Sequence, residues 1–165
     1  MKNKSINILI VAFVLLSLLA VVLIVFIKDT REGFEENITV SADGVTETTL
    51  EVRDLTLVPT DKKEYSVNLV CAATGTYDVS LSYDETLDGG MKNFVNVLVT
   101  YDNKLAYDGR LVDLIDNSHI IEFECELTAK TPVVVKISYE MPYEVGNEAQ
   151  NTYADFDVKL KLVKK

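Results

Sequence analysis

The stretch "YSVNLVCAATGTYDVSLSY", Tyr65 to Tyr83, decides the fold. Its first half puts Tyr65, Val67, Leu69, Cys71 and Ala73 at alternate positions. Its second half repeats the pattern with Tyr77, Val79, Leu81 and Tyr83. A period of two is the strand period, because successive side chains point to opposite faces. Between the halves, Thr74-Gly75 supplies a turn. The stretch therefore predicts two strands, each with one buried face.

The same period extends along the chain in both directions. Upstream, "NITVSA" aligns Ile38, Val40 and Ala42. In "TTLEVRDLTLVP", Leu50 and Val52 share one parity and Leu55 and Leu57 the other, which predicts a bulge or bend near Arg53-Asp54. Pro59 and "TDKKE" end that strand. Downstream, "DETLDGGMKN" reads as a loop. "FVNVLVTY" is apolar at nearly every position, which predicts cover on both faces. "YDNKLAYDG" predicts a hairpin turning at Asp102-Asn103. "RLVDLIDNS" reads as a helical turn or a loop. Inward faces follow at Ile121, Phe123, Cys125 and Leu127, at Val133, Val135, Ile137 and Tyr139, and at Phe156, Val158, Leu160 and Leu162. Eight or nine short strands with no amphipathic helix among them predict an all-β chain. The expected architecture is a single antiparallel β-sandwich, jelly-roll or immunoglobulin-like, over residues 36–165.

The N-terminal part is of another kind. Ile6 to Ile27 is 22 residues without a charge. About 20 apolar residues in a helix cross a bilayer. The competing reading is a cleaved signal peptide, which has an apolar region of roughly 7–15 residues and a small-x-small site. This run is longer, and Val25, Phe26 and Ile27 precede Lys28. Residues 1–5 are then a short cytoplasmic segment, 6–27 a transmembrane signal anchor in contact with the lipid bilayer, and 28–35 a charged stalk. Lys2 and Lys4 balance Lys28 and Arg31, so flanking charge does not set the orientation. A first span followed by a folded domain predicts an exported, extracellular C-terminal domain.

The chain carries a net charge of −10. All 26 acidic residues follow Ile27, against 14 of the 16 basic ones, so the part beyond the span carries −12. Such a surface repels phosphate backbones, which excludes nucleic acid as a partner, and disfavours lying flat on anionic lipid.

The residues that could carry chemistry are few. Cys71 and Cys125 both lie on inward parities. They are either one disulfide across the core or two small buried hydrophobes. His119, the one histidine, sits at a strand end outside any H-E-x-x-H or G-x-S-x-G pattern. Acidic residues gather in two runs: Asp84, Glu85 and Asp88, then Asp102, Asp108, Asp113 and Asp116. Calcium needs several oxygens converging on one point, and neither run has EF-hand spacing. Solvated turn residues are the ordinary reading, and a loop site for calcium or carbohydrate is the alternative. "NIT" at Asn37 fits a glycosylation sequon. No motif for a cofactor, a metal or catalysis is present, so a non-enzymatic role is expected.

The stretch "EVGNEAQNTY", Glu144 to Tyr153, is polar and lies between two good strands. Asn147, Gln150 and Asn151 can satisfy loop backbone groups, so it reads as a structural crossing. Asn147, two residues, Gln150, a short link and a final strand bearing Phe156 resemble the end of the TasA/camelysin family of exported β-sandwich proteins. "DLTLVPTDKKEYSVNL" and "GTYDVSLSY" are also similar to that family's strands. The resemblance implies a jelly-roll-like sandwich with a matrix, fibre or adhesive role at the bacterial cell envelope, and self-association. Some members have been described as metallopeptidases, but this chain has no zinc motif. Family members usually have a cleavable signal peptide and a Gly after the Gln. Here a retained anchor is expected instead, and Asn151 stands in place of the Gly, asparagine being a residue that tolerates left-handed backbone angles.

Overall fold

A computed structural model describes residues 35–40, 45–129 and 131–165. The expected span at 6–27, the segments flanking it at 1–5 and 28–34, and Ala42 lie outside the described residues, as do the side chains of Asn37, Ile38 and Val40. Nine strands are described: β1 Glu35–Val40, β2 Val45–Leu55, β3 Lys62–Cys71, β4 Gly75–Gly89, β5 Asn96–Tyr101, β6 Lys104–Arg110, β7 Ile121–Leu127, β8 Val133–Glu140 and β9 Tyr153–Lys164. One short helix, α1, spans Leu111–Asp116.

The strands form two sheets in a sandwich, ordered β1-β3-β8-β5-β6 and β2-β9-β4-β7. All pairings are antiparallel except β1 with β3, which is parallel, with Glu35 beside Ser66 and Val40 beside Cys71. The chain changes sheet at almost every connection. The link through Thr74 is such a change: β3 lies in one sheet and β4 in the other. The exception among the described strands is β5–β6, a hairpin in which Tyr101 opposes Lys104. Its turn residues, Asp102 and Asn103, have φ of 46° and 61°. That is the left-handed pair of a type I′ turn, whose twist matches the flanking strands.

Inward faces from both sheets make the core. Val67, Leu69, Val97, Val99, Val135, Ile137 and Tyr139 meet Leu50, Val52, Val79, Leu81, Phe156, Val158, Leu160 and Leu162. Phe156 is fully buried, with its ring centroid 5.9 Å from Tyr83 and 5.4 Å from Tyr139 of the opposite sheet. Such aromatic contacts add to plain area burial. The parity switch in β2 is a bulge: register with β9 shifts between Val52 and Leu55, and Asp54 has φ 50°. The Asp54 N–H donates to Asp155 Oδ1 at 2.7 Å, so that amide keeps a partner within the bulge.

Three expectations change. Strand β5 is covered on one face: Val97 and Val99 are buried, while Asn96 is exposed and Leu98 is 36% exposed. No described element lies over that outer face, so apolar sequence there does not mean double burial. "DETLDG" is not loop but the second half of β4, paired with the first half of β9 from Asp84↔Asp157 to Gly89↔Tyr153. Its exposed side chains hid the strand pattern, and the backbone ladder holds it instead. Phe123 is half-buried and stacks on Tyr101 at 4.2 Å, joining the hairpin of one sheet to edge strand β7 of the other.

Candidate functional site

The most organised polar cluster lies at the end of the sandwich where β4 finishes. After Gly89 the chain turns at Gly90, φ 86°, into a 3-10 turn over Met91–Asn93. A side chain at Gly89 would strike the backbone oxygen of Tyr153 at 2.4 Å, so the chains pack here backbone to backbone. Met91 is buried, and Lys92 is drawn in with it, only 7% exposed. Helix α1 closes the same end. Leu111 and Leu114, three apart on one helical face, are fully buried, and the Leu111 N–H donates to the Val95 carbonyl at 2.9 Å.

Lys92 Nζ lies 2.8 Å from Glu85 Oε2, 2.9 Å from Asp116 Oδ1 and 3.3 Å from Asp88 Oδ2. An ammonium has three donors, and each finds a carboxylate. Hydrogen bonding to Glu85, then to Asp116, raises the Lys92 pKa well above the ordinary lysine value. The Asp88 carboxyl is held below its ordinary value, first by the Gly90 N–H, which donates to Asp88 Oδ1 at 2.8 Å, and also by Lys92. The fold thus brings Glu85 and Asp88 from one acidic run together with Asp116 from the other. Their centre is filled by an ammonium, the place a calcium ion would need. Among the described residues no group of three or more His, Cys, Asp or Glu side chains is arranged to hold a metal. Lys92 was not singled out by sequence reasoning. A lysine within an acidic run is a faint signal, and Asp116 arrives only through the fold.

The other acidic residues disperse. Asp84 pairs with Lys159 at 2.5 Å. Asp102 lies in the hairpin turn, and Asp113 accepts from Asn117 Nδ2 at 3.4 Å. Asp108 sits opposite Leu98 on the sheet. His119 is exposed, its ring 5.6 Å from that of Tyr107.

Cys71 and Cys125 are free and buried. Cys125 pairs across the ladder with Tyr77, and Cys71 ends β3 in the opposite sheet. Burial first, then Cys71 and Glu124, push the Cys125 thiol up to about 11. A thiol so held is a poor nucleophile at neutral pH.

The stretch Glu144 to Tyr153 carries the chain from β8 in one sheet to β9 in the other. Asn147–Ala149 form a 3-10 turn in which Gln150 Nε2 donates to Asn147 Oδ1 at 3.0 Å. Asn151 follows with φ 61°, in the left-handed region. Thr152 Oγ1 donates to the Ala149 carbonyl at 2.7 Å, and Ala149 is buried. Asn147, Gln150 and Asn151 are exposed, and the first two bond to each other within the loop.

No family model matches the chain, and no curated protein is similar to it in sequence. Several solved structures are similar in outline, and three serve as examples. The pre-peptidase C-terminal domain of collagenase from Bacillus anthracis shares 11% identity over 79% of this chain and 97% of that one, with a TM-score of 0.36. The CUB1-EGF-CUB2 domains of rat MASP-1 share 10% over 78% of this chain and 43% of that one, with a TM-score of 0.39. A mutant of the periplasmic inhibitor of g-type lysozyme from Escherichia coli shares 10% over 79% of this chain and 99% of that one, with a TM-score of 0.32.

Proposed function

We propose that the protein is a membrane-anchored extracellular β-sandwich with a structural, matrix or adhesive role at the bacterial cell envelope, similar in kind to the TasA/camelysin group. The observation that carries this reading is the order of parts in the chain. A 22-residue uncharged run ends at Ile27, and the first strand begins at Glu35. An acidic sandwich tethered to a membrane is suited to presenting a surface. Strands β1, β6, β2 and β7 end their sheets, and open edges can accept a strand from a neighbour. Three outward glutamates on β7, Glu122, Glu124 and Glu126, discourage unselective pairing at that edge.

Protease treatment of intact cells expressing the full chain tests the reading. Loss of the domain from intact cells, with the protein recovered in membranes, is the expected result. A domain protected until lysis refutes the extracellular placement. A full-length protein that stays monomeric in detergent and binds no envelope material refutes the adhesive role.

A further inference from the structure

Cys71 and Cys125 are the only cysteines of the chain, about 54 positions apart. Cys71 ends β3 in one sheet, and Cys125 lies on β7, an edge strand of the other. Both are buried in the same core. After Cys71 the chain crosses three residues to Gly75, which opposes Leu127, and Tyr77 then opposes Cys125. The C-terminal ends of β3 and β7 therefore lie at one end of the sandwich. Stacked sheets usually stand about 10 Å apart. Here Cα atoms of β3 and β7 approach within 8 Å, although the strands belong to different sheets.

The two sulfurs also act on the same groups. After burial, Cys71 does most to raise the Cys125 thiol. Burial first, then Cys71 and Cys125, raise the Tyr77 hydroxyl, which is buried without a hydrogen-bond partner among the described residues. A disulfide needs Cα atoms roughly 4.4–6.8 Å apart. From an approach within 8 Å, a small closing movement of β7 is enough. Strand β7 has room for it. Its one ladder partner is β4, and beside it lies a surface cleft of about 430 Å³, walled by Tyr101, Lys104, Cys125, Thr128 and Val133.

We infer that Cys71 and Cys125 close into a disulfide while the domain folds, and that this bond ties edge strand β7 to the opposite sheet. Its presence on cells rests on the extracellular reading, because disulfides persist in oxidising compartments. The oxidant is itself a disulfide, of glutathione type or on an oxidoreductase. One cysteine thiolate attacks it and displaces one thiol. The second cysteine attacks the protein sulfur of that mixed disulfide and displaces the other. The protein gives up two protons and two electrons, and the oxidant leaves as two thiols. Burial sets the timing. In the folded, reduced domain the Cys125 thiol is pushed up to about 11, so little thiolate forms at neutral pH. Before β7 docks, that thiol has its ordinary acidity and exchange is fast. Protein folded under reducing conditions therefore keeps two free, sheltered thiols.

The test refolds reduced full-length protein from urea into detergent, with oxidised glutathione or with reduced glutathione alone. Each product is then alkylated under denaturing conditions and weighed. Oxidative refolding should give a monomer that takes up no alkyl group and is lighter by two hydrogens. Its Tm should exceed that of the reduced product by about 10 °C, because the bond closes a long loop in the unfolded chain. Oxidised glutathione added to folded, reduced protein should form the bond at least about tenfold more slowly than during refolding. Two alkylated cysteines after oxidative refolding, glutathione adducts or disulfide-linked dimers overturn the pairing. An oxidised form no more stable than the reduced one overturns the tie to β7. Thiols trapped on intact cells before lysis separate the pairing from the placement. A bond that forms on refolding but is absent from cell-borne protein overturns the extracellular placement and leaves the pairing standing.

Discussion

Replacing Lys92 by Met tests the carboxylate cluster at the end of β4. Met keeps most of the apolar length of the side chain, so the change removes charge more than packing. What remains is Glu85, Asp88 and Asp116 around an apolar group, three negative charges with nothing between them. Breaking a fully buried ion pair from one side costs roughly 3–5 kcal/mol, but Asp88 and Asp116 are half exposed, which lowers the expected loss to about 2–3 kcal/mol. For a domain of this size, that is about 6–10 °C in Tm. The pH dependence has a definite sign. The Lys92 pKa is raised above its ordinary 10.5, so its contribution is complete below that value and fades as pH rises through the folded value. The Asp88 pKa is lowered from 3.8, so its contribution is complete above that value and fades as pH falls through the folded value. The stability difference between wild type and Lys92→Met, measured by urea unfolding, should be flat from about pH 5 to pH 9 and shrink in acid as the carboxylates protonate. Millimolar calcium should raise the Tm of the variant and leave wild type unmoved, because the ammonium no longer fills the centre. A variant as stable as wild type at pH 7, or a difference that persists at pH 3, refutes the electrostatic account.

Three further outcomes are expected. Phe156→Ala should cost about 3–5 kcal/mol in chemical denaturation, since it empties a fully buried site between Tyr83 and Tyr139; a loss below 1 kcal/mol would mean the core there is loosely packed. At Asn151, Gly should be neutral or slightly stabilising, whereas Val should cost about 1–2 kcal/mol because a β-branched residue resists φ 61°; equal stability of the two variants contradicts the left-handed assignment. In native protein at pH 7, Cys125 should react with a thiol reagent only as fast as the domain unfolds, so a rate insensitive to stabilising conditions would show that the thiol is accessible.

Much of the sandwich was legible because burial on one face imposes period two. The inward positions of β3, β8 and β9 follow from alternation alone, as do those of β7 apart from half-buried Phe123, down to the placement of both cysteines. Turn chemistry was equally local. Asp102-Asn103 and the β2 bulge announce themselves because left-handed angles and parity slips leave marks on few residues. The second half of β4 left no such mark. Its side chains are exposed, and only the ladder to β9 makes it a strand. Apolar residues at Leu98 suggested a cover that the fold does not provide, since hydrophobicity records tendency and not neighbours.

The chain by itself determined its class of structure: short strands with one apolar face, an acidic surface, and an uncharged N-terminal run long enough for a bilayer. These are properties of a residue and its near neighbours, so they can be read in order. Only the tertiary structure decided that the Thr74-Gly75 turn between Tyr65 and Tyr83 passes from one sheet to the other rather than folding a hairpin. It alone gathered Glu85, Asp88 and Asp116 about Lys92, and joined Thr60 and Asp61 to Met141 across paired loops. Those arrangements depend on pairs such as Lys92 and Asp116, 24 positions apart, and Thr60 and Met141, about 81 apart. Pairing between distant segments is set by the packing of whole sheets, and no local pattern carries it.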